Sequence, residues 1–236
     1  FLPLERLEAR YAPPHSGIIP SYNMKRIIRF LFVCLTWPFA HLGWPWLCAK
    51  LSILWRNIYA AYVKQRFGRC GSVALSSTRL HLSGMKHMTL GHNVEMGFDV
   101  RLQCLDRWDN AGQRFTPRLI IHDHVVLAPL SRVGCINHVE IGEYTTMGAR
   151  CYITDHTHGG TPRAELEMPP RHRPLVSRGP VEIGRCVHLG EGVCVMPGVT
   201  IGDYSVIGAG SVVTRDIPPY SIAVGSPAKD IKTIEQ

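Results

Sequence analysis

The sequence has no C-x-x-C pair, and its eight cysteines (34, 48, 70, 104, 135, 151, 186 and 194) fall without paired spacing along 236 residues. A disulfide framework or a structural metal site would need such pairs, so the pattern argues for a reducing, cytosolic compartment and no metal. None of the thiols carries the surroundings of an activated nucleophile, which disfavours a covalent acyl-enzyme. Acidic residues are scarce, 18 against 26 Lys and Arg, for a formal charge of +8 with 12 His besides. A solvated basic surface explains that excess; so does a polyanionic partner such as an anionic membrane or a phosphate-bearing cofactor. No nucleic-acid-binding motif accompanies it, so a nucleic-acid partner is not expected. Composition supports a folded chain, with 22 Gly and 17 Pro suited to a turn-dense β architecture.

What is present instead is a beat. From Val181 to Val213 an aliphatic residue recurs every six positions: Ile183, Leu189, Val195, Ile201, Ile207 and Val213. Two positions before each stands a small or β-branched residue, and Gly184, Gly190, Gly202 and Gly208 follow four of the six. Six fits neither the 3.6 of a helix nor the 2 of a half-buried strand. It fits a chain wound into triangular coils, one inward aliphatic per face, with glycine expected where a corner requires positive φ. Stacked coils bury a continuous column that no single coil could bury alone. The beat is also clear at Leu90, Met96 and Leu102, at Ile121, Leu127 and Val133, and at Ile141, Met147 and Ile153, with a two-residue slip through Cys135–His138. Fifteen clear beats at three per turn predict an all-β solenoid of about five coils over residues 71–217. Two stretches, 103–118 and 155–180, interrupt it. Insertions into such a stack emerge as loops and collect function.

The flanks differ in kind. Residues 1–23 lack periodicity and are expected to be an extension or a loose arm, with Met24 resembling a start. Residues 24–70 form an apolar, helical segment in which Phe30–Ala49 is uncharged, but Pro38, Gly43 and Pro45 break a straight span and basic residues lie on both sides. A signal peptide is disfavoured by the lack of a small-x-small cleavage site. A bent pair of helices lying in a membrane interface is expected across residues 24–66, with Trp37, Trp44, Trp46 and Trp55 at headgroup depth. A hydrophobic cap on the stack or on a neighbouring subunit is the alternative. The tail, 218–236, opens with Pro218-Pro219 and is expected to leave the stack.

The segments Ile153-Thr154-Asp155-His156-Thr157-His158-Gly159, Arg178–Gly184, Ile207–Pro219 and Ala223–Lys229 resemble the hexapeptide-repeat acyltransferases, especially the sugar O-acetyltransferases of bacterial polysaccharide clusters. The similarity covers about residues 72–232. It implies a left-handed parallel β-helix, a coil sense that periodicity alone does not give and that runs against the usual right-handed crossover. It also implies a homotrimer and transfer of acetyl from acetyl-CoA to a hydroxyl.

Such a transfer needs a base for the hydroxyl proton, a donor for the developing oxyanion and a groove for a long anionic co-substrate. His156 stands where the beat stops, and the family's catalytic histidine maps onto it by its spacing from Ile153. An imidazole titrates near neutrality and can take that proton and return it to the leaving thiolate. His158 is assigned to acceptor contact, and Asp155 to the acceptor side or to orienting the base. Because neighbours in an extended segment face opposite ways, a backbone carbonyl competes with Asp155 for the second role. No side-chain oxyanion donor is evident, so a backbone N–H is expected. On the co-substrate side, the resemblance assigns Gly190 and Ala209 to the pantetheine arm, and Thr214, Arg215 and Lys229 to the phosphates. The chain departs from the maltose and galactoside branch at Ala128, where that branch has Asn, and at His188, where it has Trp. Both departures argue against a free-sugar acceptor and, together with the apolar N-terminal segment, favour a larger, lipid-linked glycan at the inner face of the cytoplasmic membrane. The rival readings are an amino-sugar N-acetyltransferase, a serine acetyltransferase (for the loop His158-Gly159-Gly160-Thr161), a β-helical zinc carbonic anhydrase drawing on His122, His124, His138, His156, His158 and His188, and a non-catalytic membrane scaffold.

Overall fold

A computed structural model describes residues 44–233. The expected arm at 1–23 and the apolar stretch through residue 43, with Trp37, lie outside the described residues. Beyond a first helix, and apart from two insertion hairpins and the tail, the chain visits three parallel sheets in rotation, so that every third strand joins the same sheet. The first sheet runs from Arg69–Cys70 through Met88–Leu90, Arg118–Ile121, His138–Ile141 and Val181–Ile183 to Thr200–Ile201. The second runs from Val73–Leu75 to Val206–Ile207, and the third from Leu80–Ser83 to Val212–Val213.

Register ties this directly to the beat. Glu182 pairs with Thr200, His188 with Val206 and Cys194 with Val212, each partner three beats of six further on. Around the slip at 135–138 the partners stand 20 apart instead, as with Leu119 and Val139. All fifteen beat residues are buried, 2% exposed or less, and successive ones stack in columns such as Leu90, Ile121, Ile141, Ile183 and Ile201. Each such side chain contributes about 1.5–3 kcal/mol by leaving water.

The glycines after the beat do a different job from the one expected. Gly184, Gly190, Gly202 and Gly208 do not have positive φ; the left-handed residues stand two positions later, at Cys186, Gly192, Tyr204 and Gly210. What excludes a side chain at these glycines is the neighbouring coil. A Cβ on Gly190 would lie 2.6 Å from the Ala209 nitrogen, and one on Gly184 only 2.7 Å from the Asp203 nitrogen. The cause is therefore close backbone approach between coils rather than corner geometry.

The three sheets hold six, eight and six strands. The first turn, Arg69–Ser83, lies off the clear beat because its residues are only partly buried, as expected of an end. The tail does not leave the stack. Ser221–Gly225 continues the second sheet in parallel beside Val206–Ile207, and Ala228–Thr233 folds back on it antiparallel.

Upstream, α1 (Trp44–Lys64) is a single 21-residue helix with Pro45 in its first turn, where a missing N–H costs nothing. Near its end Val63 is buried and, with Phe67 just beyond, joins the core beneath the first coil, while the Arg56 guanidinium donates to the Ser76 carbonyl at 2.9 Å. Trp46, Leu51, Leu54, Trp55, Ile58 and Tyr62 are exposed. Among the described residues no helix is long and apolar enough to cross a membrane.

Candidate active site

The third sheet ends one of its strands at Tyr152–Thr154, and there the chain turns out of the stack. His156–His158 then pairs antiparallel with Leu175–Ser177, closing the long insertion as a hairpin. Asp155 is the pivot. Its carboxylate is fully buried and accepts from the backbone N–H of Ile136 at 3.0 and 3.1 Å and from that of Asn137 at 2.7 Å. The remaining approach is taken by the imidazole of His156, with Nδ1 2.8 Å from Asp155 Oδ1. The Thr154 hydroxyl, 3.2 Å from the same Nδ1, donates to the His156 carbonyl and accepts from the His156 N–H.

An ionised carboxylate can only accept, so Nδ1 carries the proton and the lone pair stays on Nε2. Nε2 has no hydrogen-bond partner among the described residues. The ring is only about one-tenth exposed. Room for it comes from Gly134 on the adjacent strand, where a Cβ would stand 3.3 Å from His156 Cε1. A buried, oriented imidazole with a free lone pair is suited to general-base work.

Two expectations about this cluster need correction. Asp155 cannot contact an acceptor, because it is sealed from solvent. Nor does a backbone carbonyl fix the tautomer: the opposite-faces rule fails because the strand ends at Thr154 and the chain turns, which brings adjacent side chains together. The two-residue slip at 135–138 also acquires a meaning, since it frees the N–H groups of Ile136 and Asn137 to hold Asp155. Gly134 and Thr154 were not singled out in the sequence; they are near His156 through pairing that no local pattern announces.

The two insertions meet at this place. The Gln113 side chain clamps the Leu175 backbone, accepting from its N–H at 2.7 Å and donating to its carbonyl at 3.0 Å. Trp108 Nε1 donates to the Arg173 carbonyl at 3.1 Å, and the Asn110 amide to that of Arg171 at 3.0 Å. His158 sits exposed at the rim with its ring edge-on to Trp108, centroids 5.2 Å apart. Partial desolvation, then the charge of His156, push its pKa below the ordinary imidazole value.

Gly190 and Ala209 are stacked on successive coils, with a gap too small for a side chain between them. Thr214 and Arg215 follow Val212–Val213 and are exposed, as is Lys229 on the last strand. Neither Arg215 nor Lys229 has an ion-pair partner among the described residues. His122 and His138 both turn onto Glu140, at 2.6 and 3.2 Å, and no three histidines or acids among the described residues converge as a metal-binding set. His188 lies exposed on the second sheet beside Thr146 and Val206.

Repeat and fold together define a stack built of six-residue units. The family model described as bacterial transferase hexapeptide (six repeats) matches residues 180–215. WbbJ of Escherichia coli (strain K12), named as a lipopolysaccharide biosynthesis O-acetyl transferase, is 36% identical over 149 residues, which cover 61% of this chain and 71% of that protein. SACOL2570 of Staphylococcus aureus (strain COL), named as an acetyltransferase, is 43% identical over 115 residues, covering 42% of this chain and 56% of that protein. The fold matches that of AntD, an N-acyltransferase from Bacillus cereus solved with dTDP and 3-hydroxybutyryl-CoA, with a TM-score of 0.58 at 18% identity over 74% of this chain and 87% of that one. The chain belongs to the hexapeptide-repeat acyltransferase family.

Proposed function

We propose that the protein transfers acetyl from acetyl-CoA to a sugar hydroxyl of a bacterial surface polysaccharide or its lipid-linked precursor, with His156 as general base. The observation that carries the reading is the buried Asp155–His156 pair, which leaves Nε2 of His156 without a partner among the described residues, on the strand that opens the second insertion. Nε2 takes the acceptor's hydroxyl proton as its oxygen attacks the thioester carbonyl. Collapse of the tetrahedral intermediate breaks the C–S bond, and the same nitrogen returns the proton to the departing thiolate. Asp155 acts as a positioning residue that holds the tautomer and steadies the imidazolium. Direct transfer suits a site whose buried thiols are kept protonated: Cys135 is raised by its hydrogen bond with Cys104 and by burial, and Cys151 is pushed up to about 11 by burial.

The co-substrate reading rests on the family resemblance, which assigns Gly190 and Ala209 to the pantetheine arm, and on Arg215 and Lys229, exposed cations suited to phosphates, with Thr214 next to Arg215 in the chain. A left-handed hand for the stack, a homotrimer and an acceptor-contacting role for His158 follow from the family resemblance. Peripheral attachment to the inner face of the cytoplasmic membrane through residues 24–66 is supported by α1, which has no acidic residue, carries Lys50, Arg56 and Lys64, and exposes Trp46 and Trp55.

The test is mass spectrometry after incubation with acetyl-CoA and a panel of polysaccharide repeat units. A gain of one acetyl that disappears with His156→Ala is expected; acetylation that survives the substitution sinks the base assignment, and transfer confined to amino groups replaces O- with N-acetylation.

A further inference from the structure

A cavity of about 510 Å³ is lined by Trp108, which touches His158, and His156 is not among its lining residues. It is lined by the Ser83–Gly84 corner with Cys104 and Leu105, by Asp106 to Asn110 of the first insertion, and by Arg171 of the second. Gly84 is required at that corner: it has φ 69°, and a Cβ there would strike the Cys104 carbonyl. We propose that this cleft is a subsite for an uncharged pyranose unit of the acceptor glycan, one residue along the chain from the unit that is acetylated. This rests on the acetyltransferase reading above for the word acceptor, but not for the binding itself.

Charge selects the ligand class. Asp106 is held by Lys86 at 2.9 Å and His87 at 3.4 Å, and these contacts, Lys86 foremost, keep its carboxyl below the ordinary range. Asp109 lies between Arg114 at 3.1 Å and Arg107 at 3.6 Å. Among the lining residues proper, Asp106 and Asp109 stand against Arg107 and Arg171, while Lys86, His87 and Arg114 hold the two carboxylates from outside the lining. An anion entering it meets two carboxylates, and a cation meets Arg107 and Arg171. A neutral polyol meets fixed acceptors and donors at once, and vicinal hydroxyls suit that pairing.

Trp108 supplies the apolar wall that the C–H face of a pyranose ring requires. Its indole is already fixed, by its bond to the Arg173 carbonyl on one side and by the edge contact with His158 on the other. A fixed aromatic costs no rotamer entropy on binding. The volume falls within the roughly 300–1,000 Å³ of small-molecule sites. The same indole links the cleft to the base, because His158 is two residues from His156 on one strand. A glycan seated against Trp108 thus lies one side chain, His158, away from the strand that carries the base.

The experiment is saturation-transfer-difference NMR on the full chain, without acetyl-CoA, using methyl pyranosides of glucose, galactose, mannose and N-acetylglucosamine, and glucuronate and glucosamine as charged controls. At least one neutral glycoside is expected to receive saturation. The signal should fall at least fivefold in Arg107→Ala and Asp109→Ala, both exposed positions, and persist in His156→Ala. In the transfer assay Asp109→Ala should raise the acceptor KM about tenfold while the KM for acetyl-CoA stays put. No saturation with any neutral glycoside, saturation unchanged in both cleft variants, or preference for a charged control overturns the subsite. Glycoside binding without any acetyl transfer leaves the subsite standing and removes the transferase reading instead.

Discussion

The imidazole of His156, its Asp155 partner and the space that Gly134 leaves for it can each be tested separately. His156→Ala removes the base, and general-base groups typically supply 10²–10⁴-fold, so kcat should fall by about 10³ with folding intact. Asp155→Asn keeps the shape but replaces an acceptor-only group with one that can donate, which frees the ring to take the wrong tautomer. We expect a loss of about 10² in kcat with little change in either KM; an unchanged kcat refutes the positioning role. Gly134→Ala is subtler. Its Cβ would press on Cε1 at 3.3 Å, so the ring must tilt by a few tenths of an ångström. A drop of about tenfold in kcat with a nearly unchanged Tm is the expected result. These three positions also show what the sequence could disclose. His156 was legible because it stands where the six-residue beat stops. Asp155 was visible but its role was not, since alternation along a strand gives the wrong answer once the strand ends. Gly134 was invisible, because it reaches His156 only through the pairing of Gly134 with Thr154 on neighbouring coils.

Insertions, unlike coils, have no repeat to register them, so their contacts depend on individual side chains. The hairpin Arg107–Arg114 and the hairpin His156–Ser177 are joined chiefly by Gln113, Trp108 and Asn110. Gln113→Ala removes two hydrogen bonds to the Leu175 backbone, each worth about 1 kcal/mol. The effect should be local: faster hydrogen exchange across residues 159–176 and a higher acceptor KM, with the global Tm falling only slightly. Exchange that quickens throughout the coils instead shows that the loop supports the fold. That the interruptions carry function was readable from their positions; that they touch each other was not, since 103–118 and 155–180 have no shared pattern. A second element-scale feature is the cluster on the outer face of the first sheet. Contacts with His122, then His138, hold the Glu140 carboxyl below its ordinary value, while Glu182 is its register neighbour on the next coil. A depressed carboxyl contributes stability above the unfolded pKa, near 4.5, and loses it as pH falls through the lower folded value. Thermal unfolding of Glu140→Gln should therefore match the wild type in the acid limb and fall below it above that range.

At the scale of the whole molecule, the coils form one core whose columns run from Leu90 to Ile201 and from Met96 to Ala223. Each coil buries its aliphatics only against its neighbours, so a ligand that spans coils is linked to the stability of the stack. Acetyl-CoA laid across Gly190 and Ala209 and held at its phosphates by Arg215 and Lys229 would bind the folded stack and not the open chain. Binding at a hundred times Kd then stabilises by about 2.7 kcal/mol. The phosphate end of that interaction is electrostatic, exposed and screened by salt, whereas the pantetheine end is not. Three readings by thermal unfolding follow from this division. Coenzyme A should raise the Tm by several degrees, Arg215→Ala with Lys229→Ala should remove most of that rise, and raising the salt should erode it in the wild type but hardly at all in the double variant. Dephosphorylated pantetheine should give a smaller rise that neither the substitutions nor the salt alters. Equal shifts for coenzyme A in the wild type and the double variant would place the phosphates elsewhere, and no shift at any concentration would remove the co-substrate from this face of the stack.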